Sequence, residues 1–129
     1  MFNFKKIFEK KPNWSKLYNR YLNKEVLERW REGKNLSQEQ MADVFIKAAK
    51  DFKTGDLSIV EFTQICGDLY FGAYVQLDFY EKDRIDLRII DAMREFGDPD
   101  SETMDQEAAK KGIYHVNKEW QKKLLEFVE

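Results

Sequence analysis

Eleven carboxylates fall between Asp78 and Glu107, opposed in that stretch only by Lys82, Arg84, Arg88 and Arg94, a net charge of −7. Acids at this density can hold a metal or present a negative field to a cationic partner. Carboxylate pairs at helical spacing, such as Asp91 and Glu95, could coordinate two metals. The di-metal carboxylate bundles, however, need Glu-x-x-His elements. This chain has a single histidine, His115, which sits beside Ile113 and Val116 and reads as a surface or packing residue. No glycine-rich phosphate loop, nucleophile elbow or His-Glu metal motif occurs. The residues therefore predict no catalytic group, no metal and no cofactor.

The second use of the carboxylates remains. Glu81–Arg84, Lys82–Asp86 and Arg88–Asp91 are spaced to pair on a helix, and such a face can be merely solvated. From Asp98 to Glu107, by contrast, five acids meet no Lys or Arg before Lys110. Carboxylates fixed side by side repel one another and raise the cost of folding. A cationic partner turns that cost to use. A nuclease is such a partner, since its cleft must be positive to hold phosphates, and complementary charge speeds encounter. The candidate binding residues are Asp83, Asp86, Asp91, Glu95, Asp98, Asp100, Glu102 and Asp105.

Helices must position these acids. Only two prolines and six glycines occur in 129 residues, and β-branched runs are scarce. Trp14, Leu17, Tyr18, Tyr21, Leu22, Val26 and Trp30 form a stripe at helical spacing, predicting one helix from Trp14 to about Gly33, with the tryptophans as core anchors. Ser37-Gln38-Glu39-Gln40 and Ser58-Ile59-Val60-Glu61 are capping boxes. The first opens a helix with Met41, Val44, Phe45, Ala48 and Phe52 on one side, ending before Gly55. The second opens a helix burying Phe62, Ile65, Cys66, Leu69, Tyr70, Ala73 and Leu77, running past Gly67 and Gly72. A buried strand over Tyr74–Tyr80 is the alternative there. A fourth helix covers Lys82 to Phe96 with Ile85, Ile89, Met93 and Phe96 inward, and Asp98-Pro99 starts another piece. A last helix follows Asn117 and buries Trp120, Leu124 and Phe127 or Val128. The turn around Gly55 superficially resembles a calcium-binding EF-hand loop. Lys50, Phe52 and Thr54 occupy its carboxylate positions, which excludes an ion that needs six to eight oxygen ligands.

Composition sets the outer bounds. The length suits one domain, residues 1–129, and 15% aromatic content argues for a packed core despite 36% charged residues. The lone Cys66 reads as a buried thiol. No apolar run reaches the length of a membrane span and no signal-peptide pattern opens the chain, so the expected location is cytoplasmic, without stable membrane insertion. The first 36 residues carry ten basic against four acidic side chains, a net of +6. Their bases alternate with Glu25, Glu28 and Glu32 in pairs such as Glu25–Arg29 and Glu28–Arg31, which argues against nucleic acid. Residues 1–12 form a short amphipathic segment in which Phe2, Phe4, Ile7 and Phe8 are edged by lysines. It can dock on the core or lie on an anionic membrane surface.

Residues Ala42 to Phe71 resemble the helical immunity proteins of the colicin D type and the immunity partners of contact-dependent growth-inhibition toxins. The likeness rests on Phe52, Gly55, Leu57, Ser58, Glu61 and Phe62: a helix carrying a Phe, a Gly turn, then a Ser and a Glu-Phe pair opening the next helix. It implies an antiparallel helical bundle that binds a toxin nuclease, often a tRNase, and covers its basic cleft with acidic side chains. The basic N-terminal region and the acidic turn after Gly97 depart from that pattern, and the motif positions themselves look structural. The expectation is thus an all-α, single-domain antiparallel bundle of four to six helices whose partner is a basic toxin nuclease domain. The alternative is an adaptor or membrane-surface module working through the N-terminal segment.

Overall fold

A computed structural model describes residues 14–78, 85–98, 103–105, 107, 110–111 and 115–128. Asp83, Asp100 and Glu102 among the candidate acids, and the amphipathic segment 1–12, lie outside the described residues. Those described form an all-α bundle of six α-helices: α1 (Trp14–Tyr18), α2 (Lys24–Arg31), α3 (Gln38–Thr54), α4 (Ile59–Phe71), α5 (Leu87–Gly97) and α6 (Lys118–Val128). A 3₁₀ turn, Tyr74–Gln76, follows α4 where a strand was the alternative. One isolated antiparallel bridge, Met104 to Val116, is the sole β pairing among the described residues.

Local chemistry sets most of the helix ends. Ser37 Oγ accepts from the Gln40 amide and the Gln40 side chain accepts from the Ser37 amide, and Ser58 and Glu61 repeat the arrangement. Gly55 closes α3 at φ 85°, a left-handed conformation that glycine adopts without a Cβ penalty. Asn117 caps α6 by accepting from the Trp120 amide. The single helix expected over Trp14–Gly33 is in fact two. The Tyr18 carbonyl accepts from the amides of both Tyr21 and Leu22, tightening the chain into a turn. Asn23 then restarts the helix by accepting from the Val26 amide. The apolar stripe runs through this break because Leu17, Tyr18, Tyr21, Leu22, Leu27 and Trp30 are buried on both sides of it. The helix expected from Lys82 begins at Leu87, as α5, with Asp86 as its cap.

The core is centred on Phe62 of α4, which is wholly buried. Its ring stacks on Phe52 of α3 at 4.8 Å and meets Phe96 of α5 edge-on at 5.1 Å. Helices α4 and α5 approach closely where Gly67 faces Gly97. Helix α6 lies antiparallel to α5: Trp120 meets Phe96 at 5.4 Å near one end, and Arg88 reaches Glu126 at 3.2 Å near the other. The same helix places Phe127 edge-on against Phe45 of α3 at 5.3 Å. Cys66 is completely buried, as its apolar neighbours implied. Among the described residues, no helix is long and apolar enough to cross a membrane.

Candidate functional site

The amphipathic α5 buries Ile89, Ala92, Met93 and Phe96 and thereby turns Asp91, Arg94 and Glu95 outward, with Asp86 and Arg88 exposed at its start. Asp86 carries two loads. One carboxylate oxygen accepts from the Arg88 amide at 2.8 Å and caps the helix, while the other receives Arg88 Nη2 at 2.8 Å. These two contacts, side chain first, hold the Asp86 carboxyl below its ordinary range. The same guanidinium donates to Glu126 of α6 at 3.2 Å and lies 5.7 Å above the Phe127 ring. Nearly two turns further on, Arg94 Nη2 donates to Asp91 at 2.8 Å and stands 3.4 Å from Glu95.

Each arginine on this ridge is therefore shared by two carboxylates. Four acids, Asp86, Glu126, Asp91 and Glu95, face two guanidinium groups, an excess of two negative charges. The side chains remain 30–61% exposed, so these contacts are solvent-screened and exchangeable. Asp98, exposed, closes the ridge at the end of α5.

The pairing differs from the spacing argument in two places. Arg88 joins Asp86 and Glu126, not Asp91, because capping by Asp86 brings its carboxylate to the Arg88 backbone and side chain together. Glu28 stands 4.0 Å from Lys24 rather than pairing with Arg31, whereas Glu25–Arg29 forms as expected at 2.9 Å. Asp105 is not part of the α5 ridge pairs. It lies beside the Met104–Val116 bridge, where its amide donates to the His115 carbonyl at 2.9 Å and its carboxylate stands 3.4 Å from His115 Nε2. The segment from Asp98 to Glu107, read as lacking local neutralisation, thus has His115 beside Asp105, and Lys110 stands 3.4 Å from Glu107.

Glu126 is the ridge acid that sequence reasoning missed. It is 38 residues from Arg88 and arrives only through the packing of α6. Leu87, 79% exposed between Asp86 and Arg88, was likewise not singled out. It lies two residues from both Ile85 and Ile89, about 200° around a helix, so it falls opposite the Ile85–Ile89–Met93–Phe96 stripe and the apolar pattern gives no signal for it.

No protein-family model, curated protein or solved structure matches this chain.

Proposed function

We propose that this protein is a non-catalytic immunity-type inhibitor that binds a cationic toxin nuclease domain through the outer face of α5 and the adjoining end of α6. The observation that carries the reading is the shortage of arginines on that face. Two guanidinium groups serve four exposed carboxylates, so an incoming Lys or Arg finds acceptor capacity without displacing a buried contact. Leu87 supplies an exposed apolar side chain among them, in keeping with interfaces whose charged rim surrounds an apolar anchor. The likeness of residues 42–71 to helical immunity proteins points the same way, and there the matching residues shape the scaffold: Gly55 turns the chain, and Ser58 and Glu61 cap α4.

The test pairs this protein with the product of the adjacent gene, which this reading expects to be a toxin with a basic nuclease domain. Co-purification is expected, and the double change Asp91→Lys with Glu95→Lys is expected to slow association at least tenfold at low ionic strength. Stability should move little, since surface changes of this kind usually stay within about 0.5 kcal/mol each. An unchanged association rate with a folded variant overturns the assignment of this face.

A further inference from the structure

A second feature owes nothing to the acidic ridge. Between the end of α3 and helix α6 lies a cleft of about 320 Å³, lined by Ala49, Phe52, Lys53, His115, Val116, Gln121, Leu124, Leu125 and Val128. Its walls are apolar and rigidly placed. Phe52 is stacked on the wholly buried Phe62, Leu124 and Val116 belong to the core, and Gln121 Nε2 donates to the Val116 carbonyl at 2.6 Å. At the rim the polarity is one-sided. Lys53 and His115 are both exposed there, and no described carboxylate lines the cleft. Asp105 stands 3.4 Å from His115 but is not among the lining residues. Lys53 takes part in none of the ion pairs among the described residues.

We infer that this cleft is a binding site for a small apolar monocarboxylate, whose hydrocarbon body lies against Phe52, Leu124, Leu125 and Val128 and whose carboxylate meets Lys53. Ligand sites combine an apolar lining with a few polar groups that fix orientation, and here Lys53 supplies a cationic group at the exposed rim. The volume sets the scale of what can be covered. At a water's liquid share of about 30 Å³, the cleft holds about ten non-hydrogen atoms, the size of an eight-carbon fatty acid.

Octanoate and 1-octanol are the probes. Titrated into isotopically labelled full-length protein at pH 7, octanoate is expected to shift the signals of Ala49, Val116, Leu124 and Val128 saturably, and to bind more tightly than the alcohol. Lys53→Met should weaken octanoate about threefold, the range of an exposed charge contact, and leave octanol unchanged. Leu125→Trp, at a partly exposed wall, should fill the cleft and abolish binding of both. The proposal fails if octanoate and octanol bind alike to the wild-type protein, or if neither shifts these signals at millimolar concentration. It fails equally if Lys53→Met leaves the octanoate affinity untouched. Should Leu125→Trp fold poorly, the wild-type signal shifts and the Lys53→Met comparison decide alone. None of these outcomes touches the reading of the α5 face, which shares no residue with this cleft.

Discussion

Tyr18 donates its hydroxyl to Asp68 at 2.8 Å from a fully buried position, and Tyr21 donates to Asp51 at 2.7 Å. Burial and then the neighbouring carboxylate push the Tyr18 hydroxyl well above its usual range. Burial, the hydrogen bond and the charge of Asp51 do the same for Tyr21, partly opposed by Arg20. Burial also raises the Cys66 thiol, with Asp68 adding to it. The unfolded chain releases these protons near pH 8.5 for cysteine and 10 for tyrosine. The folded chain holds them higher, so above those values it binds more protons than the unfolded chain and loses stability as pH rises. Urea midpoints are expected to decline from about pH 8.5 and more steeply above 10, each group adding at most about 1.4 kcal/mol per pH unit. Tyr18→Phe should flatten the steeper limb, and a midpoint that holds to pH 10.5 would contradict the account. At the start of α4, Ser58→Ala removes the acceptor for the Glu61 amide and should cost about 1 kcal/mol in chemical denaturation. Glu61→Ala should then add little in the double variant, because the two side chains form one reciprocal unit.

At the scale of elements, α4 and α5 meet at two glycines thirty positions apart in the sequence. A Cβ built on Gly97 would lie 2.7 Å from Gly67 Cα and 2.8 Å from Gly67 N, both backbone atoms that cannot rotate away. On Gly67 the nearest atom would be the Gly97 carbonyl oxygen at 3.5 Å, an ordinary contact. Gly97→Ala must therefore push α4 and α5 apart and is expected to cost roughly 1–3 kcal/mol, as overpacking does. Gly67→Ala, inside α4, should be neutral or gain up to about 1 kcal/mol from helix propensity. Thermal melts of the two variants moving in the same direction would refute this picture of the crossing. The contrast also marks what the sequence could reveal. Capping at Ser37, Ser58 and Asn117, the Gly55 turn and the inward faces of α3 and α5 depend on residues within a turn of one another, so they were readable. The Gly67–Gly97 approach depends on how two helices cross, and the sequence offered only two apparent interruptions. The break between α1 and α2 was hidden because the apolar spacing continues across it. Asn23, which restarts the chain as α2, was not singled out. For the candidate site, the placement of Asp86, Asp91 and Glu95 along one exposed helix was legible, whereas Glu126 and the sharing of Arg88 were not, because they require α6 to be docked.

Over the whole molecule, α6 is the element that closes the bundle. It comes last in the chain, yet Phe127 packs on Phe45 of α3, Trp120 packs on Phe96 of α5, and Glu126 receives Arg88. These contacts sit unevenly along its length. Trp120 and Leu124 are buried, whereas Phe127 and Val128 are only half-buried. The C-terminal turn is thus held mainly by one aromatic edge and an exposed ion pair, and exposed pairs contribute about 1 kcal/mol or less. Phe127→Ala removes the aromatic edge. A fully buried Phe truncated to Ala costs about 3–5 kcal/mol, so a half-buried one should cost about 2. The loss should be local. Amide exchange is expected to accelerate in the last two turns of α6, while the buried amides of α4, whose Phe62 keeps both Phe52 and Phe96, keep the protection set by global unfolding. The same change leaves Glu126 unsupported on the ridge beside Arg88, so association with a cationic partner should slow even though no charge has been altered. Trp120→Ala serves as the control, because Trp120 contacts Phe96 in the core and its loss should lower protection throughout. Uniformly faster exchange in Phe127→Ala would show that the end of α6 does not open separately, and would remove the link drawn here between its packing and the acidic face.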